Sequence, residues 1–451
     1  MKHRDFKVFE GGVFPTDGKD KEVSCQKPII EYVPKVVEIS ACQSGPSLCS
    51  FIVSPGDHVD RGQLIATPVT FTAVKLHASV SGTVKEIKTI QNGNREIPVC
   101  VIEADEKQPE RPELPYLHKI VDISSYTREQ IIAAMEEGGI TGMGGAGFPA
   151  HIKYSTQLPI ETLLINASEC EPYLTCDHRM MLEHGYEIIN GANAFFHACG
   201  AKRCVICTEE NKEDAADYLR GIIKAAGLPF EVMVFPHKYP QGGEKQLIKA
   251  VIGKEIPSGR LPADVGAILS NVQSAKAMAD MLFAGEPSIT RCITVGGLID
   301  QPQNYLVPIG TPIRELMKKS GGVTWVKNKI ILGGPMTGTC LGTDIKSDDV
   351  TASVTKVSGG LLVLKRHIIY ESPCIRCYSC VNACPTGLQP WKINFAYTHG
   401  KLDLCEQLHA TECIGCGSCS FICPSRRELT RSNTAARDAV RAAIRERGNK
   451  R

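Results

Sequence analysis

Short runs of β-branched and apolar residues punctuate the first 115 residues: Val36 to Ile39, Phe51 to Val53, Leu64 to Ala66, Val80 to Val84 and Val99 to Ile102. Turn residues separate them, so the pattern predicts a module of short strands. The stretch Glu106 to Pro115 is rich in proline and charge and reads as a linker. The next block changes period. Ser124 or Ser125 is placed to cap a helix over Arg128 to Glu137, which Gly138-Gly139 would end. Apolar runs at Leu163 to Ile165, Cys204 to Ile206, Val232 to Val234 and Val265 to Leu269 then alternate with helical patterns. That alternation predicts an α/β sheet. Farther on, Ile293 to Pro302 and the segment from Val307 suggest a hairpin followed by a helix capped by Thr311. Ile330 to Gly334 adds a strand.

Such a chain is a multidomain α/β and α+β protein, and 451 residues exceed one compact core. The natural divisions are 1–115, 116–290, 291–345, 346–430 and a basic tail at 431–451. From Arg426 to Arg451 the chain carries nine Lys/Arg against three Asp/Glu. Ala436, Val440, Ala443 and Ile444 share one helical stripe there, and Arg437, Arg441 and Arg445 another. This tail reads either as solvated or as docking on a partner or an anionic membrane. The net charge of +2 gives no case for nucleic acid. The opening MKHRDFKVFEGGVFP lacks the apolar core of a secretory signal, and no stretch approaches the ~18 apolar residues of a membrane span. A cytoplasmic protein, or one peripheral to the cytoplasmic side of a membrane, is expected.

Twenty cysteines carry the chemistry, and eight of them form two copies of C-x2-C-x2-C-x3-C-P. The copies are Cys374, Cys377, Cys380, Cys384 and Cys413, Cys416, Cys419, Cys423. This run holds the cubes of two-cluster bacterial ferredoxins, with the fourth cysteine of each run serving the other cluster. Cys374, Cys377, Cys380 and Cys423 are therefore grouped on one [4Fe–4S] cluster, and Cys413, Cys416, Cys419 and Cys384 on the second. Zinc knuckles are the plainer alternative, but they pair C-x2-C units and rarely carry this run. Cluster assembly needs free thiolates, which points to a reducing compartment. The remaining twelve cysteines lack the regular spacing of a disulfide framework, and the lone Cys204 and Cys207 pair, without a second pair at zinc spacing, reads as buried thiols.

Four polar loops are the second chemical feature. Gly139 to Pro149 holds Gly142, Gly144, Gly145 and Gly147, followed by Lys153. Glycines let backbone amides approach a phosphate, and a lysine adds charge. Gly142, Gly144 and Gly147 have G-x-G-x-x-G spacing, but a helix precedes them rather than a strand, which argues against a Rossmann unit. The loops Asn166-Ala-Ser-Glu-Cys-Glu-Pro172, Tyr239-Pro-Gln-Gly-Gly-Glu-Lys245 and Ser270-Asn-Val-Gln-Ser274 follow apolar strands. Loops at strand ends suit a nucleotide crevice at the edge of an α/β sheet.

These loops resemble those of the flavin-binding subunit of respiratory NADH dehydrogenase. The segments Val53 to Gln63 and His77 to Val84 resemble the halves of a biotinyl/lipoyl-type barrel-sandwich, in which Lys75 lacks the setting of a carrier lysine. Residues 291–345 resemble the soluble-ligand-binding β-grasp domain, a ubiquitin-like fold. In order, with the opening Phe9 to Pro15 and the two-cluster ferredoxin, the modules resemble the C subunit of the Rnf electron-transport complex. The resemblance implies FMN on Gly142, Gly144, Gly145 and Gly147, with Lys153 beside it. It places Asn166 and Glu169 on the flavin, Asn271 and Ser274 on its phosphate, Phe148 on the NADH base, and Glu171 and Glu244 near the nicotinamide nucleotide. Gly242 and Gly243 line the same site. Ser168 and Gly243 stand where the respiratory subunit has Asp and Glu. It further implies electron transfer between NAD(H) and ferredoxin, ion translocation by other membrane subunits, and no acid–base catalytic residue. A cobalamin reductase built from the same modules and a flavin-less electron relay are the alternatives.

Overall fold

The structure is a computed structural model that describes residues 9–449, apart from 17–18, 44, 46, 93–94, 110–115, 324–326 and 345–349. Much of the expected linker, and the expected boundary at 345/346, lie outside the described residues. Two small antiparallel sheets build the N-terminal module. One is ordered Val36–Ser40, Arg95–Ala104, Gly82–Asn92, His58–Val59, and the other Cys49–Phe51, Leu64–Pro68, Leu76–His77. Val37, Ile39, Val59, Ile65, Val84 and Ile102 bury the space between them, as a barrel-sandwich requires. Lys75 is ion-paired to Glu137 of the next domain rather than displayed on a hairpin tip.

The second domain has a parallel four-stranded sheet ordered Phe230–Phe235, Arg203–Glu209, Thr162–Asn166, Ala267–Asn271. Cys204 and Cys207 are buried in it. Parallel strands buried on both faces read as continuous apolar runs, which is why they were visible in the sequence. Helices Gly185–Cys199 and Val272–Ala284 cross so closely that a Cβ on Gly191 would lie 1.7 Å from the Ala275 carbonyl. Helix Arg128–Glu137 forms as expected, but Thr127 caps it, through a reciprocal capping box with Gln130. Ser124 instead hydrogen-bonds Asp122.

The third domain is a six-stranded mixed sheet ordered Ile30–Glu31, Gln303–Pro308, Thr290–Gly297, Gly360–Lys365, Asn328–Leu332, Thr339–Thr343, with helix Ile313–Lys319 on one face. Strand Gly360–Lys365 pairs with both Thr290–Gly297 and Asn328–Leu332, so this domain continues to 365. The sheet thus extends past the expected bound of 345, and the ferredoxin module follows from about 366. Pro312, not Thr311, precedes the helix, and Thr311 Oγ1 bonds the Pro308 carbonyl. The expectation for the tail is also corrected. Helix Leu429–Asn449 buries Ala436 and Val440 against Leu388, Ile393 and Cys405 of the ferredoxin module. Arg437 donates to the Cys413 carbonyl at 3.1 Å and Arg441 to the Thr411 carbonyl at 2.8 Å. The basic stripe therefore closes the cysteine loops instead of forming a separate tail. Among the described residues no helix is long and apolar enough to cross a membrane.

Candidate functional site

Because the four strands are parallel, their C-terminal ends share one edge of the sheet, the usual ligand edge of such folds. Asn166 and Asn271 end two of these strands side by side. The loop 236–243 leaves the third strand, and the glycine loop folds over the same edge.

The glycine loop is closed on itself. Gly142 N donates to the Phe148 carbonyl at 2.9 Å, and Gly147 N to the Gly142 carbonyl at 3.0 Å. Gly144, Gly145 and Ala146 lie exposed at its crest, and their amides have no acceptor among the described residues. Three amides free on one turn form an anion-binding concavity. Gly145 has φ +119, open only to glycine. A Cβ on Gly144 would lie 3.5 Å from the Asn271 side chain. Ser274, buried on helix Val272–Ala284, accepts from Met143 N at 2.9 Å and donates to the Thr141 carbonyl at 2.7 Å. Its hydroxyl thus anchors the loop from below.

The other expected residues divide into two groups. Lys153 Nζ donates to the Leu269 carbonyl at 2.7 Å; burial lowers its pKa, and the nearby Glu244 carboxylate opposes that shift. Asn166 Nδ2 donates to the Gly242 carbonyl at 2.9 Å, and a Cβ on Gly242 would meet Ser168 and the Cys170 sulfur. Asn271 caps its helix through Gln273 N and donates to Asp177 at 2.7 Å. These residues, the glycine loop and the exposed Glu244 gather at the C-terminal edge of the sheet, where such folds open a ligand crevice. Phe148 is half-buried, its backbone closing the loop. Glu169 and Glu171 are held by donors of the protein itself. Glu169 caps helix Cys176–Glu183, accepting from Asp177 N at 2.7 Å and His178 N at 3.1 Å. Glu171 accepts from Met336 N at 3.0 Å and from the Thr337 hydroxyl, across to the third domain. A carboxylate drawn from water takes whatever donors are in reach, and here the protein supplies them.

The eight cysteines converge in the crosswise sets that their spacing implies. One hollow is lined by Cys374, Cys377, Cys380 and Cys423, the other by Cys384, Cys413, Cys416 and Cys419. A single zinc with sulfurs at about 2.3 Å would draw them to about 3.8 Å apart. Among the described residues no three of these sulfurs lie within 4.8 Å of one another. That spread departs from a single tetrahedral zinc, and the donor set is that of a [4Fe–4S] cluster.

The crevice and the second hollow are joined. Tyr239 lies buried beside Cys170, and its hydroxyl donates to the Cys416 carbonyl at 2.7 Å. Gln246 Nε2 reaches the Pro385 carbonyl at 3.4 Å, and Lys245 pairs with Glu412 at 2.9 Å. The opening segment threads between them. Gly12 N donates to the Ala383 carbonyl, Val13 bridges Tyr239, and a Cβ on Gly11 would lie 2.6 Å from the Cys384 carbonyl. The sequence offered Tyr239 only as part of a loop, and Asp177 and Gln246 not at all. An aromatic residue in the loop after a strand exit was the one available signal.

Family models match in the same order as the modules: the RnfC barrel sandwich hybrid domain over 7–107, the Nuo51 FMN-binding domain over 135–280, the SLBB domain over 292–339 and the 4Fe-4S dicluster domain over 373–427. The chain is 35% identical to the C subunit of the Na(+)-translocating ferredoxin:NAD(+) oxidoreductase complex of Acetobacterium woodii, over 100% of both chains. It is also 35% identical to the C subunit of the proton-translocating ferredoxin:NAD(+) oxidoreductase complex of Clostridium ljungdahlii, over 89% of this chain and 86% of that one. A solved NAD+-reducing [NiFe]-hydrogenase chain shares the fold, with a TM-score of 0.52 at 18% identity, over 73% of this chain and 67% of that one. Modules, order and full-length identity agree: the chain belongs to the RnfC family, the C subunits of Rnf-type ion-translocating ferredoxin:NAD oxidoreductase complexes.

Proposed function

We propose that this chain is the NAD(H)-reacting subunit of an Rnf-type complex, with FMN in the crevice and [4Fe–4S] clusters in both thiol hollows. The bridge from the crevice to the cysteine loops, Tyr239 to Cys416, is the observation that carries the reading. Bound FMN supplies the exchange between a two-electron hydride and single electrons that clusters can take. The protein's part is placement. The free amides of Gly144, Gly145 and Ala146 would receive the phosphate, held in register by Ser274 from below. Gly242 keeps its wall free of a side chain where a Cβ would crowd Ser168 and Cys170. Tyr239 and Gln246 hold the Cys416 and Pro385 loops against the crevice, so the Cys384, Cys413, Cys416, Cys419 set is proximal to it. The other set lies farther out, with Cys374 and Cys377 exposed. Ion translocation belongs to membrane partner subunits, ferredoxin is reached through them, and this chain sits peripherally on the cytoplasmic side. Lys153→Ala tests the crevice. It should lower the FMN retained on purification while iron content stays unchanged; normal retention contradicts the placement of FMN.

A further inference from the structure

Each cysteine run is followed, at the same spacing from its last cysteine, by an asparagine: Asn394 after Cys384 and Asn433 after Cys423. The fold treats the two differently. Asn394, on helix Pro390–Thr398, is engaged by the protein: its Nδ2 donates to Ser432 Oγ at 2.7 Å, and its Oδ1 accepts from Arg427 at 3.2 Å. Asn433, on helix Leu429–Asn449, is 2% exposed, and neither its amide nitrogen nor its oxygen has a hydrogen-bond partner among the described residues. A buried carboxamide left unpaired is a cost that folded proteins rarely carry without a reason. The place of Asn433 supplies one. Thr430, Asn433 and Arg437 fall on one stripe of the helix. Thr430 Oγ1 lies 3.5 Å from Cys419 Sγ, and Arg437 donates to the Cys413 carbonyl at 3.1 Å. Asn433 stands between these two contacts and lines the inner hollow with Cys384, Cys413, Cys416 and Cys419. Ala436 and Val440, buried farther along the helix, hold it in that position.

We infer that the Asn433 carboxamide donates a hydrogen bond to the cluster of the inner set and raises its reduction potential. The inference rests on the cluster reading above. The sulfurs of such a cluster accept N–H bonds, and those bonds are one of the factors that set its potential. One-electron reduction adds one negative charge to the cluster. A donor bonds the more negative state more strongly, so it favours the reduced form. Asn394 cannot serve the outer set in this way, because Ser432 already takes its N–H. The set next to the crevice therefore gains a donor that the repeat of the motif does not give its partner, and it holds an arriving electron more firmly.

The test uses the full chain, purified without oxygen and labelled with heavy nitrogen in its asparagine side-chain amides. After dithionite reduction, pulsed electron paramagnetic resonance of the wild type should show the label coupled to one cluster, the one whose signal Cys384→Ala removes. Potentiometric titration should then place that cluster about 59 mV lower in Asn433→Leu and in Asn433→Ala, which is about a tenfold change in a one-electron reduction equilibrium. Iron should stay at the wild-type level in both, and the other cluster should keep its potential. Asn394→Leu breaks a bond within the protein instead and should leave the inner cluster's potential unchanged. Absence of label coupling in the wild type would overturn the inference without recourse to any variant. So would an inner potential unchanged in both Asn433 variants at full iron content, which assigns the amide to a buried water. Equal shifts in Asn433→Leu and Asn394→Leu would also overturn it, since loosened packing would explain both. A wild-type chain that carries zinc, or no iron, would overturn the cluster reading and the inference together.

Discussion

Ser274→Ala isolates the role of the glycine loop. The hydroxyl makes two hydrogen bonds to the loop backbone, to Met143 N and the Thr141 carbonyl, from a site only 1% exposed. Neither backbone group has another partner among the described residues, so both are left unpaired in a buried setting. Each bond contributes about 0.5–1.5 kcal/mol, giving about 1–3 kcal/mol for holding the loop in its closed form. If that form is the one that presents the amides of Gly144, Gly145 and Ala146, the loss appears as FMN affinity weakened about 5- to 150-fold. The assay is titration of FMN into flavin-free protein, followed by quenching of flavin fluorescence, for wild type, Ser274→Ala and Ser274→Thr. Threonine keeps the hydroxyl and should retain most of the affinity. FMN affinity within twofold of wild type in Ser274→Ala, with the fold intact by circular dichroism, would refute the link between this loop and the flavin.

Crosswise ligation predicts that Cys384→Ala lowers iron from about eight toward about four while leaving the signal of the set that contains Cys374; loss of that set's electron paramagnetic signal instead would contradict the grouping. Lys356 is buried, donates to the Gly139 and Ser288 carbonyls at 2.9 and 2.7 Å, and has its pKa lowered to about 7 by burial. Between about pH 7 and the unfolded value near 10.5 the unfolded chain keeps a proton that the folded chain has released, so stability should rise with pH in that window. Relative to Lys356→Met the wild type should gain about 1.4 kcal/mol per pH unit from about pH 7 to about pH 9 in urea titrations, and a difference constant with pH would contradict the burial of a titrating amine. Gly191→Ala should cost at least about 1–3 kcal/mol, because the helix crossing has no room for a methyl group; an unchanged melting temperature would mean that the two helices are farther apart.

Features set by local spacing were readable from the sequence. The cysteine runs implied the crosswise sets because neighbouring thiols in each run can reach only one hollow. The parallel strands showed as apolar runs because both their faces are buried. Features set by tertiary competition were not readable. Thr127 outcompeted Ser124 and Ser125 for the cap because Gln130 could close the box with it. The third domain borrows Gly360–Lys365 from beyond a long connection, so no local signal marked its end. The tail arginines read equally as solvated or as docking on a partner or membrane, because their acceptors, the carbonyls of Thr411 and Cys413, carry no side-chain signature. The protein donors that hold Glu169 and Glu171, a helix N-terminus and a turn at 336–337, are distant or backbone groups with no signal in the sequence. Tyr239 acquires its meaning only from Cys416, far along the chain.

The central claim is that one chain joins an NAD(H)-reactive flavin to two clusters. Its most direct test is addition of NADH, without oxygen, to protein carrying FMN and iron while the visible spectrum is recorded. The account predicts that flavin and cluster absorbance both bleach, and that Lys153→Ala, once depleted of FMN, loses both changes while keeping its iron. Clusters that stay oxidised while the flavin bleaches, or a chain that holds its iron but does not respond to NADH with FMN bound, would contradict it.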